Sequence, residues 1–75
     1  MMLVKFEIYY DGSYWCARGI GEDIFTQGKT LDEAMSNLRE AVGVHFEDAL
    51  EHGEEIRILS ISEFGVDKIA KAASG

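Results

Sequence analysis

The chain has 75 residues, enough for one small domain, and sets 14 acidic side chains against 7 basic ones for a net charge of −7. That balance argues against a binder that works by neutralising phosphates, and no run approaches the ~20 apolar residues of a membrane span. With Cys16 as the sole cysteine no internal disulfide is possible, which points to a reducing compartment. The start, Met1-Met2-Leu3-Val4-Lys5, lacks the apolar core of a signal peptide, so the expected location is cytoplasmic. A domain this small buries only about 60–65% of its unfolded surface and often self-associates. Acidity of this size suits a basic protein partner, although plain solubility explains it more simply.

In chain order, Met2 to Tyr10 alternates with period two. Met2, Val4, Phe6, Ile8 and Tyr10 share one face and Leu3, Lys5, Glu7 and Tyr9 the other, as in a strand with one buried side. Asp11-Gly12-Ser13 predicts a hairpin turn with Gly12 at positive φ. Tyr14 to Arg18 returns as a second strand, Gly19 to Asp23 forms a loop, and Ile24 to Gln27 makes a short third strand antiparallel to the second. Gly28 supplies backbone freedom between strand and helix. Thr30 and Glu33 form a capping box, with the Glu33 carboxylate reaching back to the Thr30 N–H.

The capped helix is expected to run to about His52 and to end at a left-handed Gly53. Leu31, Ala34, Met35, Leu38, Ala41, Val42, Phe46, Ala49 and Leu50 make its apolar stripe, and Gly43 within it either allows a close backbone approach or carries no meaning. Glu55 to Phe64 reads as the last strand. Its apolar residues on both faces imply cover by the helix and by something else. The order is β-β-β-α-β: an α+β domain over 1–64 with an antiparallel-rich sheet and one long helix on one face. Residues 65–75 form a short tail, in which 66–71 can add a helical turn.

Three segments carry a resemblance. Asp11-Gly12-Ser13-Tyr14, then Phe25-Thr26-Gln27-Gly28-Lys29-Thr30-Leu31-Asp32-Glu33-Ala34, then Leu38-Arg39-Glu40-Ala41 resemble the HicB-like antitoxins over roughly residues 3 to 63. That family joins a D-G-x-Y hairpin to an F-T-Q-G-x-T-x-E-E-A strand-to-helix junction. The chain departs from it before the junction: Gly19-Ile20-Gly21-Glu22-Asp23-Ile24 replaces the family's P-x-L-P-G-C, with no proline and with Ile24 where Cys is common. Family members often carry a C-terminal ribbon-helix-helix or helix-turn-helix domain, for which the eleven residues from Gly65 are too few. The resemblance implies a stand-alone HicB-like domain with a partial RNase H-like fold. It implies steric neutralisation of a small basic HicA-type toxin, an mRNA-cleaving protein. The family's toxin-covering residues lie outside the shared motif, so none is carried over.

Catalysis is not expected. RNase H-type nucleases gather several acids on the first strand, the helix and a later strand to hold two metals. Here Glu7 is the only acid of the first strand and reads as solvent-facing. His45, Asp48 and His52 share a helix face and could ligate a metal. Their positions also suit the border of the stripe and the helix C-terminus, which favours positive charge, and that simpler reading is preferred. Cys16, between Trp15 and Ala17, reads as a packed small residue rather than a nucleophile. No cofactor is expected.

Binding is the better expectation. Tyr9 and Trp15, placed by alternation on the sheet face away from the helix, are candidate anchors, with Leu59 and Ile61 extending the patch. The alternatives are that the tail covers this face, Ile69 above all, or that a second copy does, a two-fold dimer being the commonest assembly. Glu22 and Asp23 in the altered loop, and the run Glu47, Asp48, Glu51, Glu54 and Glu55, are the candidate contacts for a basic partner. A solvated surface explains that run equally well.

Overall fold

Alternation in the first strand organises the sheet. The computed structural model describes residues 1–67. In it β1 (Met2–Tyr10) buries Val4, Phe6 and Ile8, while Leu3 and Lys5 are exposed on its other side. The turn that follows is held by Asp11, whose Oδ1 accepts from the backbone N–H of Ser13 at 2.8 Å and of Tyr14 at 2.7 Å. Gly12 takes φ 102°, as its place in the turn requires. β2 (Trp15–Ile20) then pairs antiparallel with β1, from Tyr10 opposite Trp15 to Lys5 opposite Ile20.

The second strand runs further than the sequence suggested. Gly19 and Ile20 belong to β2 rather than to a loop, because they pair with Phe6 and Lys5 of β1, and the Gly19 N–H closes the connection by donating to the Ile24 carbonyl at 2.8 Å. A Cβ at Gly19 would run into the Glu22 carbonyl, so only glycine allows this closure. The connection narrows to Gly21–Ile24, with Gly21 at φ 84° and Ile24 buried in the core. β3 (Phe25–Gly28) follows, antiparallel to β2.

Gly28 is required, but for a different reason from the one its sequence position suggested. Its φ is not positive. A Cβ there would lie 2.5 Å from the Ala34 backbone nitrogen, so glycine is what lets strand and helix backbones touch. Thr30 caps α1 (Leu31–His45), its hydroxyl accepting from the Glu33 N–H at 3.1 Å. The Glu33 carboxylate accepts from the Lys29 N–H at 3.2 Å, one residue before the expected Thr30. Asn37 adds a tie, its side chain donating to the Gln27 carbonyl at 2.8 Å. Ala34, Leu38 and Val42 are the buried residues of α1. Leu38 and Val42 pack with Val4, Phe6 and Ile8, with Ala17 and Ile24 completing the cluster.

The single helix to about His52 is interrupted. Phe46 leaves helical torsions at φ −111°, ψ 32°, and α2 (Glu47–Glu51) follows as a separate short piece. Phe46 itself packs on the core, but α2 buries no residue, and Leu50 is exposed at its end. Leu31, at the head of the expected stripe, is also exposed. Gly53 ends the helical segment at φ 81°, as expected. Nothing lies within 4 Å of a Cβ built at Gly43, so no close approach accounts for that glycine.

β4 (Ile56–Glu63) runs parallel to β1, from Met2 opposite Ile56 to Tyr9 opposite Glu63. The sheet order is β3-β2-β1-β4, with two antiparallel pairings and one parallel. The molecule is therefore a small α+β domain with a mixed four-stranded sheet and one long helix on one side. Of the expected turn over 66–71, the described part, Val66 and Asp67, has no regular structure, and the rest lies outside the described residues.

Two glycines should separate in urea denaturation. Gly28→Ala is expected to lose at least ~1–3 kcal/mol, the cost of overpacking. Gly43→Ala should be neutral or gain up to ~1 kcal/mol from helix propensity. Thr30→Ala should cost about 1 kcal/mol through loss of the cap.

Candidate interaction surfaces

Residues directly opposite in a ladder share a face, and successive residues alternate. The register therefore assigns one side of the sheet completely. Away from α1 lie Leu3, Lys5, Glu7 and Tyr9 of β1, and Arg57, Leu59, Ile61 and Glu63 of β4. Cys16, Arg18 and Ile20 of β2 join them, with Phe25 and Gln27 of β3. Five large apolar side chains on this side are exposed: Leu3 49%, Ile20 47%, Phe25 55%, Leu59 46% and Ile61 54%. The second cover that the sequence of β4 called for is thus absent among the described residues. Ile69, the tail residue considered for it, lies outside them.

Two of the charged residues on this side pair with each other. Glu7 and Arg18 face each other across β1 and β2 and form an ion pair. The Arg18 guanidinium also sits 5.6 Å from the Tyr9 ring centroid. Such exposed contacts stabilise little, but they hold the side chains in one arrangement. Cys16 is buried on this side, outside the cluster beneath α1. Burial first, then the Asp11 charge and a hydrogen bond to it, push the Cys16 thiol pKa up. The thiol lies 3.6 Å from Asp11 Oδ2 and 3.7 Å from the Tyr14 carbonyl. A protonated, buried thiol is a poor nucleophile.

Tyr9 and Trp15 do not share a face. The register sets Tyr9 opposite Cys16 and Trp15 opposite Tyr10. Trp15 packs on the core beneath the helix side and tilts against the Tyr10 ring at 5.5 Å between centroids. The sequence missed this because the turn adds residues whose number sets the parity of the returning strand. Both aromatics do line an open hollow of about 660 Å³ at the end of the sheet, together with Glu7, Arg18, Glu63 and Phe64.

The acids concentrate elsewhere. Leu31 to Glu55 holds eight acids and one arginine, an excess equal to that of the whole chain. Asp32, Glu33, Glu40, Glu47, Asp48, Glu51 and Glu55 are exposed and Glu54 is half-buried. Asp23 is exposed and Glu22 half-buried in the narrowed loop, and Asp23 lines a second hollow together with Glu40 and His45 of α1. The run at the helix end is not wholly free. Glu54 pairs with the Met1 amine at 3.0 Å, and Glu55 with Arg57 at 3.8 Å. Glu47, Asp48 and Glu51 enter no such pair among the described residues.

The break at Phe46 puts His45 on α1 and Asp48 on α2, and the His52 ring lies 2.7 Å from the Asp48 carbonyl through Nδ1. Among the described residues no three His, Cys, Asp or Glu side chains are placed to hold a metal ion. No helix among them is long and apolar enough to cross a membrane.

Comparison with protein-family models, curated proteins and solved structures finds no match. The functional reading therefore rests on the two surfaces, one apolar and close to neutral, the other acidic.

Asp11 gives a pH signature for the turn that closes the aromatic end. Backbone hydrogen bonds from Tyr14 and then Ser13 hold its carboxyl below the ordinary carboxylate value. A lowered folded value means stability that is present above the unfolded value of about 3.9 and is lost as pH falls through the folded one. Asp11→Ala should therefore lower stability at neutral pH and shrink the drop seen on acidification, as read by thermal unfolding from pH 7 to pH 2. An unchanged acid limb would show that the turn hydrogen bonds contribute nothing.

Proposed function

We propose that this chain is a non-catalytic protein-binding domain, a HicB-like antitoxin domain that covers a small basic HicA-type toxin and blocks its access to mRNA. The observation that carries the reading is the separation of charge: the helical layer and the segment after it hold eight acids against one arginine. A surface of one sign speeds encounter with a partner of the other and disfavours wrong partners. Glu47, Asp48 and Glu51 are the first contacts to consider, with Asp23 and Glu40 around the second hollow.

The strand order β3-β2-β1-β4, with β4 parallel to β1, supports the partial RNase H-like reading of the fold. The junction Phe25–Ala34 contributes position rather than contact. Gly28 and Thr30 fix α1 on the sheet and so determine where its acids stand. Inhibition by steric cover needs nothing from Cys16 or the histidines.

The alternative is an orphan homo-oligomeric protein of the same fold with no toxin partner. The exposed apolar side of the sheet favours it, since such a surface serves self-association without any second protein. The neighbouring reading frame separates the two. A short basic product that arrests growth alone, and is relieved by co-expression with this chain, supports the antitoxin reading.

In that co-expression, the two proteins should co-purify. Reversing Glu47, Asp48 and Glu51 to Lys should weaken the complex at least ~10-fold at low salt and less at high salt, because exposed charges are screened. A harmless neighbour, or one that does not associate, would refute the proposal. Unchanged affinity at low salt would place the contact on another surface.

A further inference from the structure

The two edges of the sheet are built differently. β3, at one edge, has four residues, and the Asn37 side chain donates to its Gln27 carbonyl. β4, at the other edge, has eight residues, and no strand among the described residues pairs with its outer side. Its register with β1 advances one residue at a time from Met2–Ile56 to Tyr9–Glu63, so no bulge twists it away, and the chain has no proline to interrupt it. Proteins ordinarily blunt an exposed edge with such devices, because its unpaired N–H and C=O groups are a template for another strand.

The sequence of β4 is its own complement. In an antiparallel pair of β4 strands centred on Ser60, Arg57 of one copy falls opposite Glu63 of the other, and Leu59 opposite Ile61, each pairing occurring twice. Ile58 then meets Ser62, and Ser60 meets Ser60. Arg57, Leu59, Ile61 and Glu63 share one side of the sheet, so opposite residues are cross-strand neighbours about 5 Å apart at Cβ. A slip of two residues one way sets Glu55 against Glu63, two like charges. A slip the other way sets Leu59 against Glu63. Charge therefore selects one register. Glu63 enters no ion pair among the described residues, and Arg57 reaches only Glu55, at 3.8 Å. The backbone of α1 runs closest to β3 at the far edge, which keeps its acids away from this junction.

We infer that the outer edge of β4 pairs with β4 of a second copy, antiparallel about a two-fold axis at Ser60, joining two four-stranded sheets into one of eight. The two-fold repeats every contact, so one strand supplies both halves of the interface. Both copies of α1 then lie on the same side of the joined sheet. The inference goes beyond the readings above. It needs no toxin, leaves the acids of α1 uncovered, and uses the strand edge rather than the open side of the sheet.

The test is sedimentation equilibrium of the purified full chain at low salt, with no other protein present. A dimer is expected. Arg57→Glu and, separately, Glu63→Arg set like charges opposite each other at both ends of the contact, and each should weaken the dimer by at least ~10-fold. An equimolar mixture of the two variants should regain it, because each altered residue then meets an opposite charge on the other chain. That rescue cannot come from an effect within one chain. Both positions are exposed, and circular dichroism checks that the variants stay folded. Glu47→Lys on α2, which changes the net charge as much as Glu63→Arg, should leave the dimer intact. A wild-type monomer at every concentration reached would overturn the inference. So would a dimer indifferent to both folded variants, or a mixture no tighter than either variant alone. A toxin complex that survives Arg57→Glu separates the failure of this inference from that of the antitoxin reading.

Discussion

Everything in this fold depends on how closely β3 and α1 approach at Gly28. Because position 28 carries no side chain, the Ala34 backbone can rest against the strand. Asn37 then reaches the Gln27 carbonyl, and Ala34, Leu38 and Val42 come down on the sheet one turn after another. The helix could not sit there with a larger residue at 28 without lifting off Phe6 and Ile8, which are fully buried beneath it. Thr30 and Glu33 satisfy the helix start locally, so no buried polar partner is needed elsewhere. Among the described residues no polar or charged residue is buried at all. The core is held by apolar packing alone, which suits a domain with little interior to spare.

The same placement divides the surface in two. One helix covers one side of a four-stranded sheet, and no other element among the described residues covers the other side. Alternation then determines what the open side carries, and it carries leucine, isoleucine and phenylalanine beside a nearly balanced set of charges. The acids ride on the covering layer. Two surfaces with different chemistry on opposite sides of a thin domain can serve two contacts at once, one held by apolar area and one steered by charge.

The sequence was most legible where the information is local. The parity of Met2–Tyr10, the Asp11-Gly12 turn, the Thr30 cap and the Gly53 stop depend on near neighbours, and the structure places each of them so. It was least legible where a residue answers to something distant. Gly19 and Gly28 look like torsional breaks, yet each is glycine because another backbone passes where a Cβ would be. The stripe through Phe46 keeps its helical spacing across the break, because spacing records side chains and is blind to backbone torsion. Trp15 went to the wrong face because its parity depends on the residues the turn consumes, and Glu33 turned to Lys29 over a gap of one residue. Of the candidate contacts, the acids were visible as a run. The pairing of Glu54 and Glu55 with Met1 and Arg57 was not, since it arises where the chain's two distant strands begin side by side.

That parallel pairing has a consequence for how the molecule is made. β1 is a central strand whose neighbours come from opposite ends of the described chain: β2 through a tight turn, β4 only after both helices. During synthesis the β1–β2 hairpin is available at once, whereas the other edge of β1 waits until Ile56 to Glu63 have left the ribosome. For that interval the most apolar strand of the protein has an unpaired edge, and closure requires joining residues far apart in sequence, the slow class of contact. A chain cut short before Ile56 would keep the capped helix and the hairpin yet never seal that edge. It would be a target for chaperones or for aggregation rather than a smaller version of the domain.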